Sequence, residues 1–586
     1  MFETIKLWGA SDLEKITRDE PAKNSEPDFC LSGIKGEVVS SQIIITSLRD
    51  FLVAKFEIKC GDLVSENNDV LPSSCVKFYL EKYVKIWNSS FEPNETRTVK
   101  QLTGEFPDAL IPMDKALLKN EAMLLPRLNQ GIWIDICIPS DAPKGVYIGK
   151  IDVSIGDEHR FVEAKVKVYD ISMPSAVHAK SMYSVWNHLI KKGEEKCGLE
   201  IEEKYYNFLS DNRLNPTEVP NSGYSNAKEY AEYIVKYAKD ERVTNYRIPL
   251  TIRAKGNVYY AELSEVKEYL TAMAKKQQEL RGSGDTSTDL FKKAFWYTID
   301  EPDYTGHMDD IATIEKVLIQ AKNEVAAEYP EFADGIKKVA HIMVTQTIHT
   351  ECAGGDADGG IQTWCAQLHS FDSKKTYELN GKTLSAREFI ALRRSNPNDK
   401  AAGEDIWWYH CNQPENPYPT DMIDDNLISM RLLTWMQYSL DISGVLSWCV
   451  NYYQKYWEIG PTERNVWEDP VTMGRCNGDG FLLYPGKDYG VDGPIGSIRL
   501  SVIRASKQDY EYFYLLNERL KGCKDESFIR ERIGYLISEI VKNDVVPVID
   551  GSEIAKFHKI REQVLNVLEL ADETEIIEVL SSIKEH

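Results

Sequence analysis

From residue 181 to residue 450 the chain alternates short apolar runs with longer segments whose apolar residues recur every three or four positions. No other feature restricts the fold as strongly. Short runs bounded by Gly, Pro, Asn or Asp read as strands and the amphipathic segments between them as helices, which is the pattern of βα units about a parallel sheet. The candidate strands are 181–186 (SMYSVW), 216–219 (PTEV), 245–250 (NYRIPL), 293–299 (KAFWYTI), 338–344 (KVAHIMV), 361–366 (IQTWCA), 405–410 (DIWWYH) and 444–450 (GVLSWCV). Eight is the number that closes a (β/α)8 barrel. Helical patterns such as SNAKEYAEYIVKYAKD and SEVKEYLTAMAKKQQEL follow most of them. The second run is short, and an acidic Gly-rich stretch, ECAGGDADGG, stands where a helix would precede IQTWCA. That stretch lacks EF-hand spacing and reads as a solvated turn rather than a calcium loop.

The flanking regions have other textures. Between about residues 30 and 172, segments such as EVVSSQIIITS, GIWIDICIP and GVYIGKIDVSIG are short, rich in Val, Ile and Tyr, and often alternating. They predict an antiparallel β-sandwich. Residues 452–496 are irregular, a helix begins at SIRLSVIR, and the chain from 525 onward is amphipathic helix. A length of 586 residues exceeds what one core supports, since cores stop growing at about 250–300 residues. The expected class is therefore α/β: an N-terminal β-sandwich over 1–175, a TIM-like (β/α)8 catalytic barrel over 176–520, and a C-terminal helical appendage over 521–586.

Charge and cysteine usage exclude several functions. Lys plus Arg total 69 against 92 Asp plus Glu, a net charge of −23, and no basic stripe offsets it, so a nucleic-acid partner is not expected. Eleven cysteines are scattered without a C-x-x-C pair or a Cys/His cluster at metal-ligand spacing, so neither a metal nor a cofactor is expected. Cysteines within apolar runs suit reduced, core-filling thiols. The opening residues carry no signal-peptide pattern and no run is apolar enough to span a membrane. The expected location is cytoplasmic, or secreted if a leader has been removed.

The chemistry is carried by FWYTIDEP, where an apolar run ends in Asp300, Glu301 and Pro302. Proline has no N–H and restricts its predecessor to extended geometry, so the ladder stops there with Glu301 at the strand's carboxyl end. Active sites of (β/α)8 barrels are built at that end. Two consecutive carboxylates are coupled, and the charge of one favours a proton on the other. One acid and one base meet the requirement of glycoside hydrolysis. Aromatic residues crowd the other strand ends: Trp186, Trp364, Trp407, Trp408, Tyr409 and Trp448, with the amides Asn187 and Asn451 nearby. Sugar C–H faces pack on such rings and sugar hydroxyls bond to such amides, making these the candidate substrate-binding residues. Alternation allows only one of Trp407 and Trp408 to face the barrel interior.

The stretches GEVVSSQIII, GIWIDICIPSDAPKGVYIGKIDV, FWYTIDEP, DIWWYHCNQPENPYP, RLLTWMQYSLDISGVLSWCVNYY and GDGFLLYPGKDYGVDGPIGSIRLSVIRASKQDYEYFYLL together resemble glycoside hydrolase family 123 and the wider set carrying the domain of unknown function 4091. The resemblance spans roughly residues 36–517, and Ser506 stands where the family usually has Gly. It implies an N-terminal β-sandwich, a barrel, and β-N-acetylgalactosaminidase activity by substrate assistance. In that mechanism the residue matching Asp300 orients the substrate's acetamido group, and the residue matching Glu301 is the acid and then the base. Tyr409, within WWYHC, is the candidate donor to the acetamido oxygen.

Two other readings compete: a glycosidase using two separated carboxylates, with Asp405 or Glu404 as the distant partner, and a non-catalytic carbohydrate-binding protein. The partner in every case is a glycan. Because no Cys/His ligand set is present and the expected chemistry needs no Lewis acid, EDTA should leave turnover of an aryl glycoside unchanged. Loss of activity restored by a single divalent ion would overturn that expectation.

Overall fold

The computed structural model describes residues 4–51, 53–91, 103–348, 361, 363–379, 381–395, 405–456, 463–522 and 526–583. The Gly-rich run 351–360, Glu404 and Cys523 lie outside them.

Alternating apolar residues build two sheets between Ile5 and Ser172. The first is antiparallel, ordered Ile5–Ala10, Val38–Ser47, Asn129–Cys137, Val76–Ile86 and Gly104–Pro112. The second is centred on Gly145–Ile155 and Glu158–Ser172 and includes one parallel pairing, of Phe29–Lys35 with Glu158–Ser172. In Gly145–Ile155 every second residue from Tyr147 is buried, as the period of a strand with one core face requires. Apolar residues of both sheets, among them Ile43, Ile134, Val153 and Val166, belong to one contiguous core.

The βα region forms a seven-stranded, curled parallel sheet. Its strands are β1 (Lys180–Tyr183), β2 (Tyr246–Arg247), β3 (Ala294–Tyr297), β4 (Ala340–Thr345), β5 (Thr363–Gln367), β6 (Asp405–Tyr409) and β7 (Gly444–Ser447), in the order β1-β7-β6-β5-β4-β3-β2. The expected strand PTEV is not one: Pro216 makes a single bridge to Tyr183. The backbone at 215–217 nevertheless bonds to both edge strands, through Tyr183 N to Asn215 O (2.9 Å), Thr217 N to Tyr183 O (3.2 Å) and Arg247 N to Thr217 O (3.1 Å). A run containing Pro216 and stopped by Pro220 has too few donors to extend that ladder. Inside the curl, Met182, Phe295, Ile342, Val344, Cys365, Trp407 and Leu446 pack together. Trp296, Trp364 and Trp408 point the other way, into the helical layer.

Helix α1 (Asn187–Glu194) follows β1, α2 (Leu263–Gly282) follows β2, and α3 (Met308–Glu328) follows β3. The long helix α4 (Ile498–Arg519) is buried on nearly every side. Arg499 donates to both oxygens of Asp108 at 2.8 Å and to the carbonyls of Asp421 (2.7 Å), Gly478 (2.9 Å) and Phe481. Arg504 bonds to Asp135 at 3.0 Å, and Asp509 receives Arg431 and Arg561. Ser506 leaves α4 unbroken: its hydroxyl donates to the Arg431 carbonyl at 2.9 Å, where two helices approach closely. Helix α5 (Glu553–Glu569), in the C-terminal segment, packs on α4 and also reaches the N-terminal region, through Arg561–Glu37 (2.6 Å) and Asn566–Tyr169 (2.9 Å). The nine described cysteines are unpaired, and among the described residues no helix is long and apolar enough to cross a membrane.

Removing one member of a buried ion pair leaves the other charge uncompensated, at a cost of about 3–5 kcal/mol. Asp108→Ala strands the fully buried Arg499 guanidinium and should lower the melting temperature markedly in calorimetry, and an unchanged melt would refute this role.

Candidate active site

The acid pair lies where β3 ends. Glu301 does not take the extended geometry expected before proline: at φ 43° and ψ 57° it occupies the left-handed region, costly for a residue with a Cβ by about 1–3 kcal/mol. Residues 298–301 carry the chain from β3 into the short helix Pro302–Thr305, and the Glu301 carbonyl accepts from Tyr304 N and Thr305 N at 3.0 Å each. That turn brings both carboxylates to the inner mouth of the sheet. Asp300 accepts from the Tyr297 hydroxyl at 2.6 Å. Glu301 accepts from Gln346 Nε2 at 2.9 Å and from the Tyr409 hydroxyl. Tyr297 and Tyr409 are the last inward residues of β3 and β6, each two positions after an inward Phe295 or Trp407. Asp303 accepts from the backbone N–H of Gln346 (2.9 Å) and Thr347 (3.3 Å), holding the loop after β4 so that Gln346 reaches Glu301.

The local electrostatics follow from crowding. Asp300 is exposed as a residue, but its carboxyl lies among dense protein; that desolvation raises it above the usual aspartate range, Tyr297 opposes the shift and the Asp303 charge adds to it. Burial, then the adjoining carboxylates, push the Tyr297 and Tyr409 hydroxyls up, so both remain protonated donors.

Beside the pair, at the carboxyl ends of β1 and β2, is a cavity of about 460 Å³ lined by Trp186, Asn187, His188, Glu218, Asn221 and Arg247 among others. Asp300 and Glu301 do not line it themselves. Arg247 joins the two: it donates to Glu218 (3.0 Å) and to the Tyr297 carbonyl (2.9 Å), and lies 5.4 Å over the ring of the same tyrosine that holds Asp300. Burial raises the Glu218 carboxyl, and Arg247 opposes that rise.

The other expected binding residues fall into four places. Trp186 and Asn187 line the cavity, and Trp448 meets the edge of Trp186 at 5.6 Å. Asn451 is fully buried and holds the Trp186 backbone with both ends of its amide, at 2.9 and 3.1 Å, so it positions the wall rather than facing a ligand. Trp364 and Trp408 face the helical layer, where Arg393 and Phe371 cover them. Trp407 is inside the curl but deep, bonded to Asp405 and packed on Gly444. Asp405 sits at the amino end of β6 with Lys180 (3.1 Å) and Arg394 (3.4 Å), on the opposite end of the sheet from Glu301. It is therefore not the distant partner that a two-carboxylate mechanism would need.

Sequence reasoning missed Tyr297, Gln346, Arg247 and Glu218. Counting by two from Phe295 would have placed Tyr297 inward. The others carry no local signal, because their roles depend on neighbouring strand ends meeting in space.

Comparison with known proteins gives the family. The family described as glycoside hydrolase 123, catalytic domain, matches residues 162–516, and the glycoside hydrolase 123 N-terminal domain matches residues 8–155. A search of curated proteins found no match. Among solved structures, a family 123 glycoside hydrolase from Clostridium perfringens, studied for glycolipid glycan hydrolysis, superposes with a TM-score of 0.67 at 14% identity, covering 99% of this chain and 100% of that one. The β-glucuronidase of Parabacteroides merdae aligns with 87% of this chain and 52% of its own at 9% identity, with a TM-score of 0.26 that carries no argument. With its catalytic and N-terminal regions both matched and its fold shared, the chain belongs to glycoside hydrolase family 123.

Proposed function

We propose that the protein is a retaining, substrate-assisted β-N-acetylhexosaminidase acting on terminal GalNAc, with the 215–217 segment serving as the eighth stave of its barrel. The observation that carries this reading is that Asp300 and Glu301, consecutive residues past the end of β3, are each held by an inward tyrosine, Tyr297 of β3 and Tyr409 of β6. A direct carboxylate nucleophile must stand across the sugar ring from the acid, about 5–5.5 Å away on the opposite face, and neighbours in sequence on one wall do not flank a ring in that way. Substrate assistance asks only for an acid and an anion that orients the acetamido group. The solved relative's glycolipid glycan substrate is compatible with such a sugar.

In the proposed reaction Glu301 gives its proton to the glycosidic oxygen as the acetamido oxygen bonds to the anomeric carbon and the glycosidic bond breaks. Asp300 accepts the acetamido N–H and stabilises the positive charge of the resulting oxazolinium ion. Glu301 then takes a proton from water, whose oxygen attacks the same carbon and opens the ring with retention. Tyr409 and Gln346 hold Glu301 in this scheme, and Tyr409 is reassigned from the acetamido oxygen to that task. The cavity beside Trp186 takes the rest of the glycan.

Glu301→Gln keeps the shape and removes the proton. Turnover of substrates with poor leaving groups should fall by about 10²–10⁴-fold, with activated aryl glycosides affected less. Wild-type rates on both would sink the assignment.

Asp300 acts mainly in the transition state. Asp300→Asn should lower kcat by roughly 10²–10³-fold with a much smaller change in KM. Since the ionised form is the working one and its pKa is raised, the acid limb of the rate profile should lie above the ordinary aspartate range. Tyr297→Phe removes a bond that favours the charged form, so that limb should move to higher pH. A limb that stays in place would show that Asp300 does not set it.

A further inference from the structure

The strained turn that carries Asp300 and Glu301 is held from both ends. After it, Asp303 is tied to the loop following β4 through Gln346 N and Thr347 N. Before it, the hold comes from the outer side of the sheet. Alternation along β3 sends Phe295 and Tyr297 inward and Trp296 and Thr298 toward the helical layer. There the Thr298 hydroxyl lies 2.9 Å from His341 Nε2, and His341 Nδ1 bonds in turn to Glu315 Oε2. His341 is on β4 in register with Trp296, and Glu315 is on α3. One chain of side chains thus links a helix and a strand to the turn of the acid pair.

His341 and Glu315 are both fully buried, so the bond between them is made away from water. Burial lowers the Lys322 amine on the same helix to about 8, and the Glu315 charge opposes that fall, so the carboxylate has a cation nearby. An ionised Glu315 only accepts, so Nδ1 carries its proton toward it. A neutral ring then turns a bare Nε2 to Thr298, whose hydroxyl donates. Packing alone would be met by Val at 298 and an apolar residue at 341, without the cost of burying an imidazole and a carboxylate. What the chain of bonds adds is a fixed position for the backbone at 298. That matters because Glu301, at φ 43°, is in a conformation that persists only where its surroundings over-determine it.

We propose that Thr298, His341 and Glu315 are positioning residues that keep Glu301 in its left-handed conformation, and that breaking the Thr298–His341 bond lets the turn relax toward the extended geometry favoured before proline. The kinetic consequence rests on the reading of Glu301 as the acid, and the conformational one does not.

Thr298→Val keeps the branched shape and removes the hydroxyl, whereas Thr298→Ser keeps the hydroxyl. In crystal structures of the full chain, Glu301 should leave the left-handed region in Thr298→Val and remain there in Thr298→Ser. An unchanged Glu301 in Thr298→Val overturns the proposal whatever the protein turns over. On a β-GalNAc-terminated oligosaccharide, whose leaving group needs an acid, Thr298→Val should lose about 10²-fold in kcat with little change in KM, the scale of a misplacement of about 1 Å. Thr298→Ser should recover that loss. Wild-type kcat in Thr298→Val, or an equal loss in Thr298→Ser, also overturns the proposal. Glutamine extends its amide about as far as Nε2 and asparagine about as far as Nδ1, so His341→Gln should retain the Thr298 bond and turnover while His341→Asn loses both. The opposite order overturns it, and if melting shows either His341 variant unfolded, the Thr298 pair decides alone. If the wild type turns over no glycoside, the functional reading fails while the crystal structures still decide this one.

Discussion

The buried pair of Arg499 and Asp108 is the interaction on which the arrangement of the molecule depends. A guanidinium removed from water is stable only with its charge matched and its five donors placed, and this one is given a carboxylate from the first N-terminal sheet and three carbonyls from loops beyond the parallel sheet. Each partner is useless to the others without Arg499 between them. Tyr484 completes the cluster by donating to Asp108 at 2.7 Å. The same helix repeats the device with Arg504 on Asp135 and with Asp509 between Arg431 and Arg561, so three regions of the chain meet on one helix through buried charge pairs. Such networks add specificity of arrangement as well as energy, because a shift of any loop strands a charge.

That framework explains how a site made of loop residues is held. Asp300 and Glu301 are not on a strand but just past one, yet every polar atom around them is traced to a fixed element: Tyr297 to β3, Tyr409 to β6, and Gln346 to a loop clamped by Asp303. Arg247 extends the chain of contacts from β2 to the cavity. The acid pair and the space beside it are therefore aligned by the same strands that form the inner core, and preorganisation of the carboxylates does not wait for a ligand.

Much of this was legible in the sequence, and the remainder was not, for identifiable reasons. Seven of the eight proposed strands appear, shortened and in three cases shifted by one residue at an end, because an apolar run flanked by turn residues reports burial on both faces whatever its partners are. PTEV was read as a short strand, and Pro216 within it and Pro220 just after it leave a single bridge. The aromatic residues show the limit most clearly. Alternation correctly separates Trp407 from Trp408, yet it does not tell depth, and the inward Trp407 lies too far down the curl to meet a ligand. Asn451 looked like a ligand-facing amide because nothing local reveals that its partner is the backbone of Trp186, 265 residues away. Asp300 and Glu301 stood out because their position past an apolar strand is a local fact, but the left-handed turn that brings them together runs against the rule for residues before proline.

The conformation of Glu301 sets stability and chemistry against each other at a single position. Glycine sits at φ 43° without penalty, aspartate tolerates it better than glutamate, and either is reached from a glutamate codon by a single base change. Both relieve the backbone. Glycine does so by deleting the acid, and aspartate by withdrawing its carboxyl one methylene from Tyr409 and Gln346. With Glu301 as the proposed acid, drift toward a more stable fold is drift away from turnover, and an inactive descendant of this protein would be expected to carry the relaxed residue at 301 while keeping the rest of the mouth intact.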